Sequence, residues 1–145
     1  MHKQHRSGTE AFTFTDPITG QEILQLTSSQ EARSVHGYYD LPPWSPTTGQ
    51  IAFTSMTTPD AAEGDVYIMD RDGAHITYLA HARAVSANGG AMAQWAADGQ
   101  RVYYQDRDPG SGQRLLGWVD VKTGERGAYA GDLRMLSPTA NYNVY

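Results

Sequence analysis

His36, Tyr38 and Tyr39 stand within one short stretch, Val35-His-Gly-Tyr-Tyr-Asp40, and bring together side chains that could act on a common ligand. An imidazole works near neutral pH as a general base or as a hydrogen-bonding partner for an anion. Tyrosine offers a flat apolar face for stacking and a hydroxyl for hydrogen bonding. Arg83, Arg114 and Arg134 fall in segments expected to be loops, and a guanidinium can grip a carboxylate through two parallel bonds. Asn88-Gly-Gly90 occupies, one repeat further on, the place of His36-Gly37-Tyr38. Each of these has a plain structural alternative: a loop histidine bonded to backbone, a tyrosine packed under a strand, a solvated arginine, glycines that serve a tight turn.

Other chemistries are poorly supplied. The chain of 145 residues has no cysteine, which removes disulfides, thiolate nucleophiles and Cys-ligated metals. His2 and His5 lie in residues 1–9, expected to be a disordered tail, while His75 and His81 have no ligating partner nearby in sequence, so no cofactor is expected within this chain. Asp106-Arg-Asp-Pro-Gly110 hints at a calcium loop, but Gly117 stands where such a loop needs glutamate. A net charge of -5 without a basic stripe argues against a nucleic-acid partner. No apolar run approaches the roughly 20 residues of a membrane helix, and the first residues lack the apolar stretch of a secretory signal, so a cytoplasmic protein without a membrane partner is expected.

What must position these side chains is a repeat. Trp44-Ser-Pro-Thr-Thr-Gly-Gln leads into Ile51-Ala-Phe53, and Trp95-Ala-Ala-Asp-Gly-Gln-Arg leads into Val102-Tyr-Tyr104, with the two tryptophans 51 positions apart. A weaker third copy begins at Leu136-Ser-Pro. Between these, Asp16-Pro-Ile-Thr-Gly20, Asp70-Arg-Asp-Gly73 and Asp120-Val-Lys-Thr-Gly124 read as hairpin turns, since Asp bonds its own backbone and Gly supplies positive φ. The flanking segments, Asp65-Val-Tyr-Ile-Met69 among them, are β-branched and aromatic and read as strands. Gln30 to Val35 could form one helical turn and nothing longer. The expected fold is all-β: four-stranded antiparallel blades of an incomplete propeller spanning 10–145, with the outer strands of one blade (about 10–27), two full blades (about 38–80 and 89–130) and the inner strands of another (about 133–145). Such a piece exposes blade faces, which the remaining blades or self-association would cover.

The stretch Pro42-Pro-Trp-Ser-Pro through Ser55, followed by Gly64-Asp-Val-Tyr-Ile-Met-Asp-Arg-Asp-Gly73, resembles the TolB-type, WD-like propeller repeat. Asp16-Pro-Ile-Thr-Gly-Gln-Glu22 and the run to Pro46 are similar to the opening of oligogalacturonate lyase-like proteins. That second resemblance implies a seven-bladed cytoplasmic propeller that cleaves acidic oligosaccharides by β-elimination, with manganese held by histidines and a glutamine in later blades. On this reading His36, Tyr38, Tyr39, Arg83, Asn88 and Arg134 bind an acidic sugar, His36 facing the proton beside a uronate carboxylate. The TolB resemblance implies instead a non-catalytic module that binds a protein or peptide.

Overall fold

The computed structural model describes residues 5–58 and 61–130, and these hold ten strands and no helix. Strands β1 (Phe12–Thr15) and β2 (Glu22–Gln25) form a hairpin. A four-stranded antiparallel sheet follows, in the order β3 (Arg33–Val35), β4 (Ile51–Met56), β5 (Gly64–Met69), β6 (Thr77–Ala82). The second sheet repeats that order with β7 (Gln94–Trp95), β8 (Arg101–Arg107), β9 (Arg114–Asp120) and β10 (Arg126–Ala130). Two whole propeller blades and the outer hairpin of another are therefore present, the first blade beginning at Arg33, ahead of the expected bound of about 38. Arg134, the Leu136 turn and the strands expected at about 133–145 lie outside the described residues.

Central strands buried on both faces explain why this sequence makes blades. In β4 and β5 every residue is buried, and alternate side chains serve different neighbours. Ala52, Val66 and Ile68 face the second blade and join Ala80, Ala91, Ala93, Trp95, Val102, Tyr104 and Val119 in one core. Ile51, Phe53, Tyr67 and Met69 point the other way and form a second core with Ile76, against which Leu26 packs. Small residues on the first blade receive large ones from the second, so the two sheets interlock. Gly117 keeps its place opposite Tyr104 because a Cβ there would run into the phenol ring.

The Asp-Gly turns form as their chemistry requires. Asp120 Oδ1 accepts from the amides of Lys122 (3.0 Å) and Thr123 (2.8 Å), and Gly124 closes the turn at φ 74. Asp16 caps its turn in the same manner through Ile18 N (3.1 Å), with Gly20 at φ 72.

Two expectations change. Gln30 to Val35 holds no helical turn, because Arg33, Ser34 and Val35 pair with Met56, Ser55 and Thr54 as the edge strand of the first blade. Residues 5–9, expected as a tail, lie against that blade: Gly8 bridges Ile76, and the His5 ring stacks on Tyr78 at 3.7 Å. The hairpin leaves Phe12, Phe14 and Ile23 between 39% and 46% exposed, the apolar face anticipated for an incomplete ring.

Candidate functional site

Antiparallel order sorts the connections between two ends of the blades. The loops after β2, β4, β6 and β8 open at one end, and the Trp-led and Asp-Gly turns occupy the other. At the first end, and along the β3 and β7 edges, lie His36, Tyr38, Tyr39, Arg83, Asn88 and Arg114.

The first blade's edge strand is broken. Val35 pairs with Thr54 and Trp44 bridges Ile51, so residues 36–43 loop out opposite only Ala52 and Phe53. The second blade has a matching excursion ahead of β7, where a turn bridges Ser86 and Gly90 and Met92 takes a left-handed φ of 53. These two excursions meet. A Cβ added to Gly37 would lie 3.2 Å from the Ala93 carbonyl oxygen, and one on Gly89 would lie 3.4 Å from Tyr38 N. Ala91 N donates to Thr54 Oγ1 at 3.0 Å, tying the second loop to the first blade's β4. Loop 36–41 and loop 86–93 thus form one continuous surface, which joins His36, Tyr38 and Tyr39 to Asn88.

On that surface the tyrosine rings lie 4.5 Å apart at 54°, with Tyr38 40% and Tyr39 84% exposed. Gly37 and Leu41 are buried beneath them, and Leu41 N donates to Tyr38 O at 2.8 Å, so the loop is anchored while its aromatic faces stay open. His36 bonds through Nδ1 to the Gly37 carbonyl oxygen. A carbonyl only accepts, so Nδ1 carries the proton and Nε2 of the neutral ring is left as a base. The backbone-bonded reading of His36 therefore coexists with an available acceptor nitrogen. Asn88 is exposed at the tip of a turn held by Gly89 N donating to Ser86 Oγ at 3.2 Å.

Arg83 is placed differently. Its own amide donates to Asp106 Oδ1 at 2.7 Å and its Nη1 lies 3.5 Å from Oδ2, so the side chain braces the crossover between blades. Asp106 is committed to that brace, and Asp108 accepts from Gly110 N (3.1 Å) and Ser111 N (2.6 Å) within its own turn. Of the two aspartates in the hinted calcium loop, one is thus engaged by Arg83 across the blades and the other by its own turn. Among the described residues no group of three or more His, Asp or Glu is placed to hold a metal ion.

Sequence reasoning missed two features. Arg33 is exposed at the start of β3, a cation on the inner edge nearer the His36 loop in the chain than Arg83, and it was hidden by the helical reading of Gln30 to Val35. The second is a polar row across the first blade, in which Ser34 pairs with Ser55, Ser55 with Asp65 and Asp65 with His81. Arg6 Nη1 donates to Ser34 Oγ (2.8 Å) and Ser55 Oγ (3.0 Å) at one end. At the other, His81 Nδ1 lies 2.8 Å from the buried Asp65 carboxylate and Nε2 lies 3.2 Å from Glu63. The partners are too far apart in the chain for spacing to reveal them.

Arg6 also holds Glu10 through Nε (2.8 Å) and Nη2 (2.6 Å). That bond lowers the Glu10 pKa below its ordinary 4.5; partial burial opposes the shift, and the Ser28 and Ser29 amides reinforce it. A depressed carboxyl contributes stability that is complete above its unfolded pKa and is lost as pH falls through the folded value. In acid unfolding, the stability advantage of the native chain over Glu10→Gln is therefore expected to hold at neutral pH and to shrink once the pH drops below about 4.5.

At the opposite end, an open groove of about 530 Å³ is lined by Leu24, Thr48, Gln50, Asp70, Arg71 and Asp72. Its Asp70 carboxylate is already bonded to Gln50 Nε2 (3.1 Å) and His75 Nδ1 (2.7 Å).

No family model and no curated protein matches the chain. Among solved structures it resembles an oligogalacturonate lyase in complex with manganese, with a TM-score of 0.62 and 19% identity over 83% of this chain. The match covers 29% of that lyase, so the chain spans less than a third of its length. Blade order, sheet topology and this likeness agree on one conclusion: the chain is a partial β-propeller with the blade architecture of an oligogalacturonate lyase.

Proposed function

We propose that this chain is the N-terminal part of an oligogalacturonate lyase-like propeller and that it binds an acidic oligosaccharide on the surface shared by loop 36–41 and loop 86–93. The observation that carries the reading is the open Tyr38–Tyr39 pair beside Asn88 and the acceptor nitrogen of His36, on a fold that resembles such a lyase. A sugar ring would stack on Tyr39, its hydroxyls would bond Asn88 and Tyr38, and its carboxylate would lie toward Arg33, with Arg134, outside the described residues, kept as a second cation from the sequence alone. His36 Nε2 would face the acidic proton next to that carboxylate. Arg83 stays in the reading as a second-sugar contact through the part of its side chain that Asp106 does not cover. Metal-assisted β-elimination belongs to the longer protein, whose further blades would also cover Phe12, Phe14 and Ile23. The isolated chain is expected to bind without turnover.

Calorimetric titration with trigalacturonate tests this, with its methyl ester as the uncharged control. Saturable binding of the acid and at least tenfold weaker binding of the ester is expected, since a charge-assisted bond contributes about 1.5–3 kcal/mol. Tyr39→Ala should weaken binding by up to about tenfold, in line with about 0.5–1.5 kcal/mol for a lost stacking face. Equal affinity for acid and ester, or no effect of Tyr39→Ala, would count against the site. Binding of a peptide in place of either sugar would favour the TolB-like module.

A further inference from the structure

The Glu10 carboxylate rests in a receptor that is more complete than an ion pair requires. Arg6 approaches it with two nitrogens, Nε at 2.8 Å and Nη2 at 2.6 Å. Two successive backbone amides point at the same oxygen, Ser28 N at 3.0 Å and Ser29 N at 3.1 Å from Oε2. Arg6 is itself fixed from behind, because its remaining nitrogen donates to Ser34 and Ser55 hydroxyls and its guanidinium carbon lies 5.3 Å from the centre of the Phe53 ring. The Arg6 and Glu10 side chains are 12% and 18% exposed, so the pair is shielded from screening yet open to solvent on one side. Four donors converging on one carboxylate, with the cation held independently of it, describe a preorganised anion site.

We infer that Arg6 with the Ser28 and Ser29 amides forms a receptor for a small monocarboxylate, that Glu10 is its built-in occupant, and that the occupied receptor latches residues 5–10 and the Ser28–Ser29 loop to the first blade. The loop after β2 opens at the same end of the blades as the loops after β4 and β6. Filling the receptor is therefore what orders that part of this end. The inference is independent of the sugar site proposed above, since it involves neither loop 36–41 nor loop 86–93.

Glu10→Ala vacates the receptor and acetate is the probe. Amide hydrogen exchange at Ser28 and Ser29 should accelerate by about tenfold or more in Glu10→Ala in sodium chloride, the loss of a bond of roughly 1.4 kcal/mol or greater. Sodium acetate at equal ionic strength should restore protection saturably and raise the unfolding midpoint. Arg6→Ala/Glu10→Ala should show no saturable acetate effect, and the native chain none either, because Glu10 already fills the site. If Glu10→Ala is unfolded in chloride, folding induced by acetate and read by circular dichroism is the same result. Acetate acting no differently from chloride on Glu10→Ala, an unchanged Ser28 and Ser29 exchange rate, or an equal acetate response in the double variant would each overturn the inference.

Discussion

Trp95→Ala is expected to destabilise the chain by about 3–5 kcal/mol, the range for deleting a large aromatic from a packed core. Trp95 is 7% exposed and sits in the core shared by both blades, next to Ala93, Val102 and small residues of the first sheet such as Ala52 and Ala80. Its removal opens a void where one blade meets the other, so the loss falls on blade-to-blade packing and on the edge that carries loop 86–93. The indole nitrogen sharpens the test, because Nε1 is buried and has no hydrogen-bond partner among the described residues. A buried donor left unpaired costs about 1–3 kcal/mol. Trp95→Phe, which keeps most of the apolar bulk and removes that donor, should therefore cost far less than Trp95→Ala in urea unfolding. Equal losses for the two variants would mean that the indole is not held in that core. Trp44, its partner in the repeat, is 48% exposed, and Trp44→Ala should cost less than half as much as Trp95→Ala.

Gly90→Ala should cost about 2–5 kcal/mol, from two separable terms. Gly90 has a φ of 55, a left-handed conformation that penalises a Cβ by about 1–2 kcal/mol. A Cβ there would also stand 2.5 Å from the Thr54 Cβ and Oγ1, in the contact that holds loop 86–93 to the first blade. Thr54 would have to move, and the Ala91 amide would lose its acceptor. Gly124→Ala isolates the first term, since Gly124 has a similar φ of 74 and, among the described residues, nothing within 4 Å of an added Cβ. Urea unfolding of both variants should place Gly90→Ala below Gly124→Ala by at least about 1 kcal/mol, the lower bound for overpacking. A ligand at the shared surface should also bind Gly90→Ala more weakly, whereas Gly124→Ala should leave binding unchanged. Identical stabilities would show that Thr54 yields without cost.

What the chain reveals by itself follows the range of the interactions. Asp120 and Gly124 announce their turn because every bond that closes it is made within a few residues. The β-branched and aromatic run Ile51-Ala-Phe53 after a turn announces a strand, and the 51-residue spacing of Trp44 and Trp95 announces that the strand belongs to a repeated blade. Equating Asn88 with the His36 segment was also possible from spacing, whereas the contact between those two loops was not. The break in the edge strand was not legible, since it depends on Val35 pairing with Thr54 while Trp44 returns to Ile51. Arg6 was hidden for a similar reason: its hydroxyl partners Ser34 and Ser55 lie 28 and 49 residues away, and nothing in a short polar segment marks it as the floor of a blade. Asp65 and His81 became partners only through the register of β5 and β6.

The shared surface of the two loops is the point on which the functional reading stands, and amide chemical-shift mapping with trigalacturonate tests it directly. Saturable shifts confined to Arg33, His36–Asp40, Arg83 and Ser86–Met92, saturating at tenfold or more higher concentration with the methyl ester, are the expected result. Shifts that instead gather at the groove by Asp70 and Arg71, or none at saturating sugar with the fold intact, would contradict it.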